Sequence, residues 1–263
     1  MRLADRVVLF TEAGEGAAFG RSWAAAAARE GASLVIGDRR RELAADLATE
    51  LSRQGARALD VELDVTREES CERAARAALD AFGAIDVLVN NAHLWLGLRR
   101  DDHSREYLEE TLRVNGLGAW IMSRAVVPHM RSRKAGKIVN LSSVGAWVAS
   151  PAYAEHVEKT GNLPSFGYAL SRVLTNGVTR FMAHALGPSG ITVNALAIGM
   201  ILSEGTRRQL DEAQRQLFVE RTALRRMLEI RDTEGAFLFL ASADSDLVTG
   251  QVLLVDGGLV MAS

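Results

Sequence analysis

Cysteine is almost absent. Cys71 is the only one among 263 residues, so no disulfide can close within the chain and a reducing compartment is the simpler setting. Also missing is any apolar run approaching the ~20 residues that span a bilayer. The run after Arg6, Val7 to Phe10, gives way at once to Thr11 and Glu12 and is too short for the core of a secretion signal. These two absences lead to the expectation of a cytoplasmic protein with no membrane partner. An excess of one charge is lacking too, since 31 Lys and Arg face 33 Asp and Glu for a net charge of -2. The densest basic clusters, at 39–41 and 131–134, are too short to follow a nucleic-acid backbone and read as solvated faces. The five histidines, His93, His103, His129, His156 and His184, show neither the i,i+4 pairing nor the cysteine company of a metal site. Linkers, internal repeats and low-complexity tracts are lacking as well, and the chain reads as one domain.

What is there is an alternation of short β-branched, apolar runs with helical patterns. Residues 6–10 read as a strand, 17–29 as an alanine-rich helix, and 33–37 as a second buried strand ending at Asp38. The alternation continues with a helix over 41–52, a strand over 56–64, a helix over 68–82 stopped by Gly83, and a strand over 85–90. Residues 104–130 read as a long helix or a bent pair carrying Asn115, and 137–141, 191–197 and 251–255 as further strands. A polar, helical segment over 203–226 and a helix near 233–241 lie between the last two strands. The stretch 144–165, with Pro151, Gly161 and Pro164, reads as irregular. Seven strands alternating with helices predict an α/β chain built on a parallel, doubly wound sheet.

The chemistry concentrates in Phe166 to Arg172, read together with Asn140 to Ser143. Tyr168 and Arg172 are four apart, so on a helix they share a face and a phenol neighbours a fixed cation. Tyrosine ordinarily titrates near ~10, and a nearby positive charge favours the phenolate. Tyr168 is therefore a candidate proton donor and acceptor. Leu170, Val173, Leu174, Gly177, Val178, Phe181 and Ala185 recur at helical spacing, which predicts that this side of the helix is buried.

Several ordered motifs then agree. Asp64-Val65 follows the third strand, Asn90-Asn91-Ala92 the fourth, and Ser142-Ser143 the fifth, with Asn115 in the long helix between. Tyr168-x-x-x-Arg172, Gly187 to Asn194, and the ending Thr249 to Gly258 complete the series. In these features the chain resembles the short-chain dehydrogenase/reductase family over essentially its whole length. The resemblance implies a single-domain, Rossmann-like fold of about seven strands. It also implies a proton-relay site of Asn115, Ser143, Tyr168 and the cation at Arg172. In that scheme Ser143 hydrogen-bonds the substrate oxygen, Tyr168 exchanges its proton, and a nicotinamide ring passes a hydride to or from the carbon of a ketone or secondary alcohol.

Cofactor contacts carry over to matching positions. They are Thr11, Gly14, Glu15 and Gly16 in the phosphate loop, Asp38 and Arg39 after the second strand, and Asp64 and Val65 after the third. Asn91 and Ala92 after the fourth strand, Tyr168 and Arg172 on the helix, and Ile198, Gly199 and Ser203 after the sixth complete the set. Asp38 points to NAD, since an acid there hydrogen-bonds the ribose hydroxyls and repels a 2′-phosphate, while Arg39 leaves room for NADP. The resemblance further implies a homo-oligomer, in the first place a tetramer, packed through the helices over 104–130 and 168–186.

The chain departs from the family at five places. Glu12 and Ala18 stand where the phosphate loop has its first and third glycines, and a carboxylate at 12 is expected to weaken binding of a diphosphate. His93 replaces a glycine and reads as a structural histidine. Ile198 replaces a proline. Arg172 replaces a lysine, keeping the charge but exchanging a compact ammonium for a planar fork. Finally, 24 residues separate Ser143 from Tyr168, and 146–166 reads either as a flap beside the pocket or as a surface excursion. Tyr153 is nearer Ser143 but has Val157, not a cation, four residues on. Ser142 reads as a loop residue that satisfies backbone groups. The Ser-Tyr-Arg set also looks like that of the halohydrin dehalogenases, which use no nucleotide, and a cofactor-free member acting as a binding partner is a third reading.

Overall fold

The computed structural model describes residues 1–12, 18–94, 102–148 and 151–261. Strands β1 (Val7–Phe10), β2 (Ser33–Asp38), β3 (Ala58–Glu62), β4 (Val87–Asn90), β5 (Gly136–Ser143), β6 (Ile191–Ile198) and β7 (Val252–Val255) form one parallel sheet in the order β3-β2-β1-β4-β5-β6-β7. Helices α1 (Ala18–Arg29), α2 (Arg41–Arg53), α3 (Glu68–Phe82), α4 (Arg105–Thr111), α5 (Gly118–Arg133), α6 (Pro151–Thr160), α7 (Gly167–Leu186), α8 (Glu204–Gln209), α9 (Glu212–Arg221) and α10 (Glu234–Ala241) make the connections.

Both faces of the sheet are covered, so the strands are apolar on both sides and successive residues enter different cores. Val8, Phe10, Leu34, Ile36, Val89 and Val139 point to a layer with Trp23 of α1 and Phe237 of α10. Leu9, Val35, Leu88 and Ile138 point to the opposite layer, with Ala74 of α3 and Met122 and Val126 of α5. The Trp23 and Phe237 rings stack at 5.2 Å, and the indole N–H donates to Thr233 Oγ1 at 2.8 Å. Each such fully buried large side chain stabilises the fold by roughly 1.5–3 kcal/mol. Cys71 of α3 is a free, buried thiol pushed up to about 12 by burial and by Asp64, Glu68 and Glu72, which makes it a poor nucleophile.

Four expectations need correction, the last of them Ser142, which reads from sequence as a loop residue but lies in β5. The third strand is shorter than 56–64, covering Ala58–Glu62. The stretch 144–165 is not irregular throughout, because α6 occupies Pro151–Thr160. Its proline stands at the first helical position, where its missing N–H costs nothing. Gly161, just beyond the end, takes a left-handed φ of 70° while its N–H donates to Val157 O. The third correction concerns α7. The face it buries is polar, comprising Ser171, Arg172, Thr175, Asn176 and Thr179, whereas Leu170, Val173 and Phe181 are exposed.

The polar face of α7 is pinned to β5 by hydrogen bonds. Asn140 Nδ2 donates to Thr179 Oγ1 at 2.9 Å, and Ser142 Oγ donates to Asn176 Oδ1 at 2.6 Å. Ser142 thus lies inside a strand and ties it to a helix. The long helix expected over 104–130 is a bent pair, with a π-helical segment over Leu112–Leu117 joining α4 to α5 and carrying Asn115. Gly116 lies so close to α7 that a Cβ there would sit 2.3 Å from Leu174 Cδ2.

Candidate active site

In a parallel sheet all strands end on one edge. Strand order reverses between β1 and β4, the place where open α/β sheets receive ligands. At this edge Thr11, buried after β1, accepts the backbone N–H groups of both Asn91 and Ala92 at 2.9 Å. Asn91 Nδ2 donates back to Glu12 O at 2.8 Å, so the chain ends leaving β1 and β4 are cross-linked. The Glu12 carboxylate turns toward the β4 loop, accepting His93 N–H at 3.2 Å and lying 3.4 Å from His93 Nδ1. Two departures from the family pattern, 81 residues apart, are therefore partners. Gly14, Glu15 and Gly16 lie outside the described residues.

Ser143 ends β5 with an extended backbone, and its Oγ accepts Gly145 N–H at 3.1 Å. A Cβ on Gly145 would lie 3.3 Å from Tyr168 Cε1 and 3.5 Å from Ser143 Oγ, which brings the serine hydroxyl and the tyrosine ring into one neighbourhood. Tyr168 is on the first turn of α7, after Phe166 in a left-handed conformation with φ of 52°. Gly167 lets this end close on α4, since a Cβ there would meet Thr111 Oγ1 at 2.6 Å.

Arg172 is 1% exposed, its guanidinium carbon 5.0 Å from the centre of the Tyr168 ring. Nη1 donates to Leu141 O at 2.8 Å, while Nε and Nη2 are buried with no hydrogen-bond partner among the described residues. Burying charged donors unpaired is costly, which makes two such N–H groups beside Tyr168 informative. Asn91 Oδ1, by the β1 end, is likewise a buried acceptor without a partner among the described residues. Donors at one end and an acceptor at the other suit a ligand that presents several hydroxyl groups along its length, as a dinucleotide does.

The Asn115 side chain is fully used. Oδ1 accepts Leu94 N–H at 2.7 Å, and Nδ2 donates to Leu94 O at 3.1 Å and to Ser171 Oγ at 3.0 Å. It clamps the β4 loop to α7. Asp38 is buried at the tip of β2, one oxygen accepting Arg40 N–H at 2.9 Å. Burial works against ionisation of Asp64, but hydrogen bonds from the Thr66 hydroxyl and N–H and the charges of Arg39 and Arg113 prevail and hold its carboxyl below the usual range. Val65 is buried against Gly118, where a Cβ would lie 2.7 Å from Val65 Cγ2. Ile198 is buried at the end of β6, and Gly199 is required by the chain leaving β7, because a Cβ would lie 2.7 Å from Asp256 Cα. Ser203 caps α8, its Oγ accepting Thr206 N–H at 3.1 Å.

Sequence reading passed over one group. Tyr153, set aside for want of a cation, is carried by α6 to the Tyr168 side of the site, edge-on to Phe166 at 4.9 Å. Burial and then Tyr168 push its phenol up. Its signal was the Pro151 and Gly161 pair that marks α6 as a helix.

Comparison with known proteins adds a family match. The model described as Enoyl-(Acyl carrier protein) reductase matches residues 15–260. An uncharacterized oxidoreductase of Mycobacterium tuberculosis is 36% identical over 262 residues, covering 98% of this chain and 99% of the relative. A probable galactose dehydrogenase of Rhizobium meliloti is 34% identical over 265 residues, covering 98% and 96%. Among solved structures, a gluconate 5-dehydrogenase from Burkholderia cenocepacia in complex with NADP and tartrate superposes with a TM-score of 0.86 at 34% identity, covering 98% of this chain and 96% of that one.

Proposed function

Because this chain belongs to the short-chain dehydrogenase/reductase family, we propose that it is a nicotinamide-dinucleotide oxidoreductase interconverting a ketone and a secondary alcohol, with Tyr168 as the acid and base. The observation that carries the reading is Arg172, which brings a fixed cation and two unmatched donors to the Tyr168 ring. The NADP complex of the Burkholderia neighbour supports the choice of cofactor, and Asp38 favours NAD over NADP. When bound, the dinucleotide supplies or accepts the hydride.

The residues' own tasks follow from their bonds. Ser143 Oγ accepts from Gly145 N–H, so its own hydrogen is free to donate to the substrate oxygen. In reduction Tyr168 gives its proton to that oxygen, and in oxidation it takes the proton back. Arg172 holds the phenol in a field of fixed sign and offers Nε and Nη2 to ribose hydroxyls. Asn115 acts through Leu94 and Ser171 as a positioning residue. Thr11 holds the β1 and β4 ends together, and Asp38, Arg39, Asp64, Val65, Asn91, Ala92, Ile198, Gly199 and Ser203 line the dinucleotide's path with the phosphate loop.

The test is turnover of a panel of ketones and secondary alcohols with NAD(H) and NADP(H), beside vicinal halohydrins with no nucleotide. Tyr168→Phe is expected to lower ketone reduction by about 10²–10⁴-fold with the fold intact by circular dichroism. Arg172→Lys, which keeps the charge, is expected to retain it within about tenfold. Nucleotide-free halide release that disappears in Tyr168→Phe would overturn the oxidoreductase reading in favour of a dehalogenase-like lyase. Absence of both activities would leave a binding role.

A further inference from the structure

Glu12 and His93 lie at the carboxyl ends of the two strands between which sheet order reverses, where the dinucleotide of the preceding section would cross. The imidazole is 8% exposed and the carboxylate 29%. His93 Nδ1 is 2.8 Å from Asn91 O, and a carbonyl can only accept. Nδ1 therefore carries a hydrogen in either charge state, and the proton that comes and goes sits on Nε2. Glu12 Oε2 is held on the same side of the ring, 3.4 Å from Nδ1 and 3.2 Å from the His93 N–H. Among the described residues Glu12 is the charged side chain that meets the imidazole. The other group bonded to it among the described residues, the Asn91 carbonyl, is neutral.

The pair thus carries one negative charge when the imidazole is neutral and none when it is protonated. A dinucleotide brings two negative phosphates to this strand edge, so it binds against a like charge in the first state and against no net charge in the second. We propose that Glu12 and His93 couple dinucleotide binding to the uptake of a proton at His93 Nε2. The inference rests on the oxidoreductase reading for its ligand, and it makes affinity a function of pH. The sign follows. Binding favours the protonated ring, so affinity falls as pH rises.

NADH is titrated into the full-length protein by calorimetry at pH 7 in two buffers of different ionisation enthalpy, and its dissociation constant is measured from pH 6 to 8.5. The expected result is a fraction of one proton taken up per NADH and an affinity falling by about tenfold over that range. His93→Gln is expected to abolish the uptake and flatten the pH dependence, and Glu12→Gln to tighten binding at pH 8.5. Nitrogen NMR of the parent protein provides a reading without any variant, in which NADH is expected to raise the protonated fraction of His93 Nε2. NADH binding without proton uptake, or with the same uptake in His93→Gln, overturns the coupling alone. No binding of NADH or NADPH at any pH overturns both the coupling and the oxidoreductase reading.

Discussion

Asp38 serves its own turn, one oxygen accepting the Arg40 N–H at 2.9 Å, and that bond would exist with or without a cofactor. Its negative charge is what separates the two roles. Asp38→Asn keeps the acceptor and the size but not the charge, so a preference for NADH over NADPH in the parent is expected to shrink toward one in the variant, measured as the ratio of dissociation constants. Equal binding by the parent would show that Asp38 is a turn residue only. Asp64 gives a pH prediction. Its carboxyl is held below the usual range despite burial, by Thr66, Arg39 and Arg113. A depressed carboxylate stabilises the fold above its unfolded value, about 3.9, and loses that contribution as pH falls through the folded value. Asp64→Asn is therefore expected to lower Tm at pH 7, with the gap closing below about pH 4; a gap that persists in acid would mean Asp64 acts by shape and not by charge.

At the level of elements, the site depends on how closely α7 approaches its neighbours. The π segment brings Gly116 against Leu174 while Asn115 reaches Ser171 and Thr175 Oγ1 donates to Asn115 O at 3.2 Å. Gly116→Ala would place a Cβ 2.3 Å from Leu174 Cδ2, and an overpacked contact of this kind costs about 1–3 kcal/mol. The expected outcome is an earlier urea midpoint with unchanged slope, and weaker turnover because Asn115 and Tyr168 move apart. An unchanged midpoint would mean that Leu174 yields freely. Much of this level was readable beforehand. Glu68 to Phe82 was read as a helix because a charged, alanine-rich pattern ends at Gly83, and Gly83 does adopt φ of 72° with its N–H on Leu79 O. The helix over 151–160 escapes a reading that takes Pro151 and Gly161 as breakers, although their places at the start and past the end are those that bound a helix.

For the whole molecule, the apolar stripe of α7 raises the question of assembly. Leu170, Val173 and Phe181 are 44%, 50% and 79% exposed, and Leu117 and Trp120, next to the same π segment, are 45% and 41% exposed. The helices carrying them are those expected to meet between subunits, and we propose that this face is covered by a second copy of the chain within a tetramer. Light scattering at micromolar concentration is expected to report that assembly, and Val173→Glu with Phe181→Glu to dissociate it. A parent of one chain's mass would sink the idea. No helix among the described residues is long and apolar enough to cross a membrane.

Local patterns were enough to read the seven parallel strands and most helices, because strand and helix periodicity and the stop signal at Gly83 act over a few residues. Periodicity also announced an apolar side on α7 and predicted it to be buried, but a different side meets the sheet. That was decided by Asn140 and Ser142 on β5, whose amide and hydroxyl need polar partners and draw the threonine and asparagine face inward. The pairing of Glu12 with His93 was beyond any local reading for a similar reason. The two residues are 81 apart and meet only because strand order sets β1 beside β4, and a contact created by strand order leaves no mark on the residues near either partner.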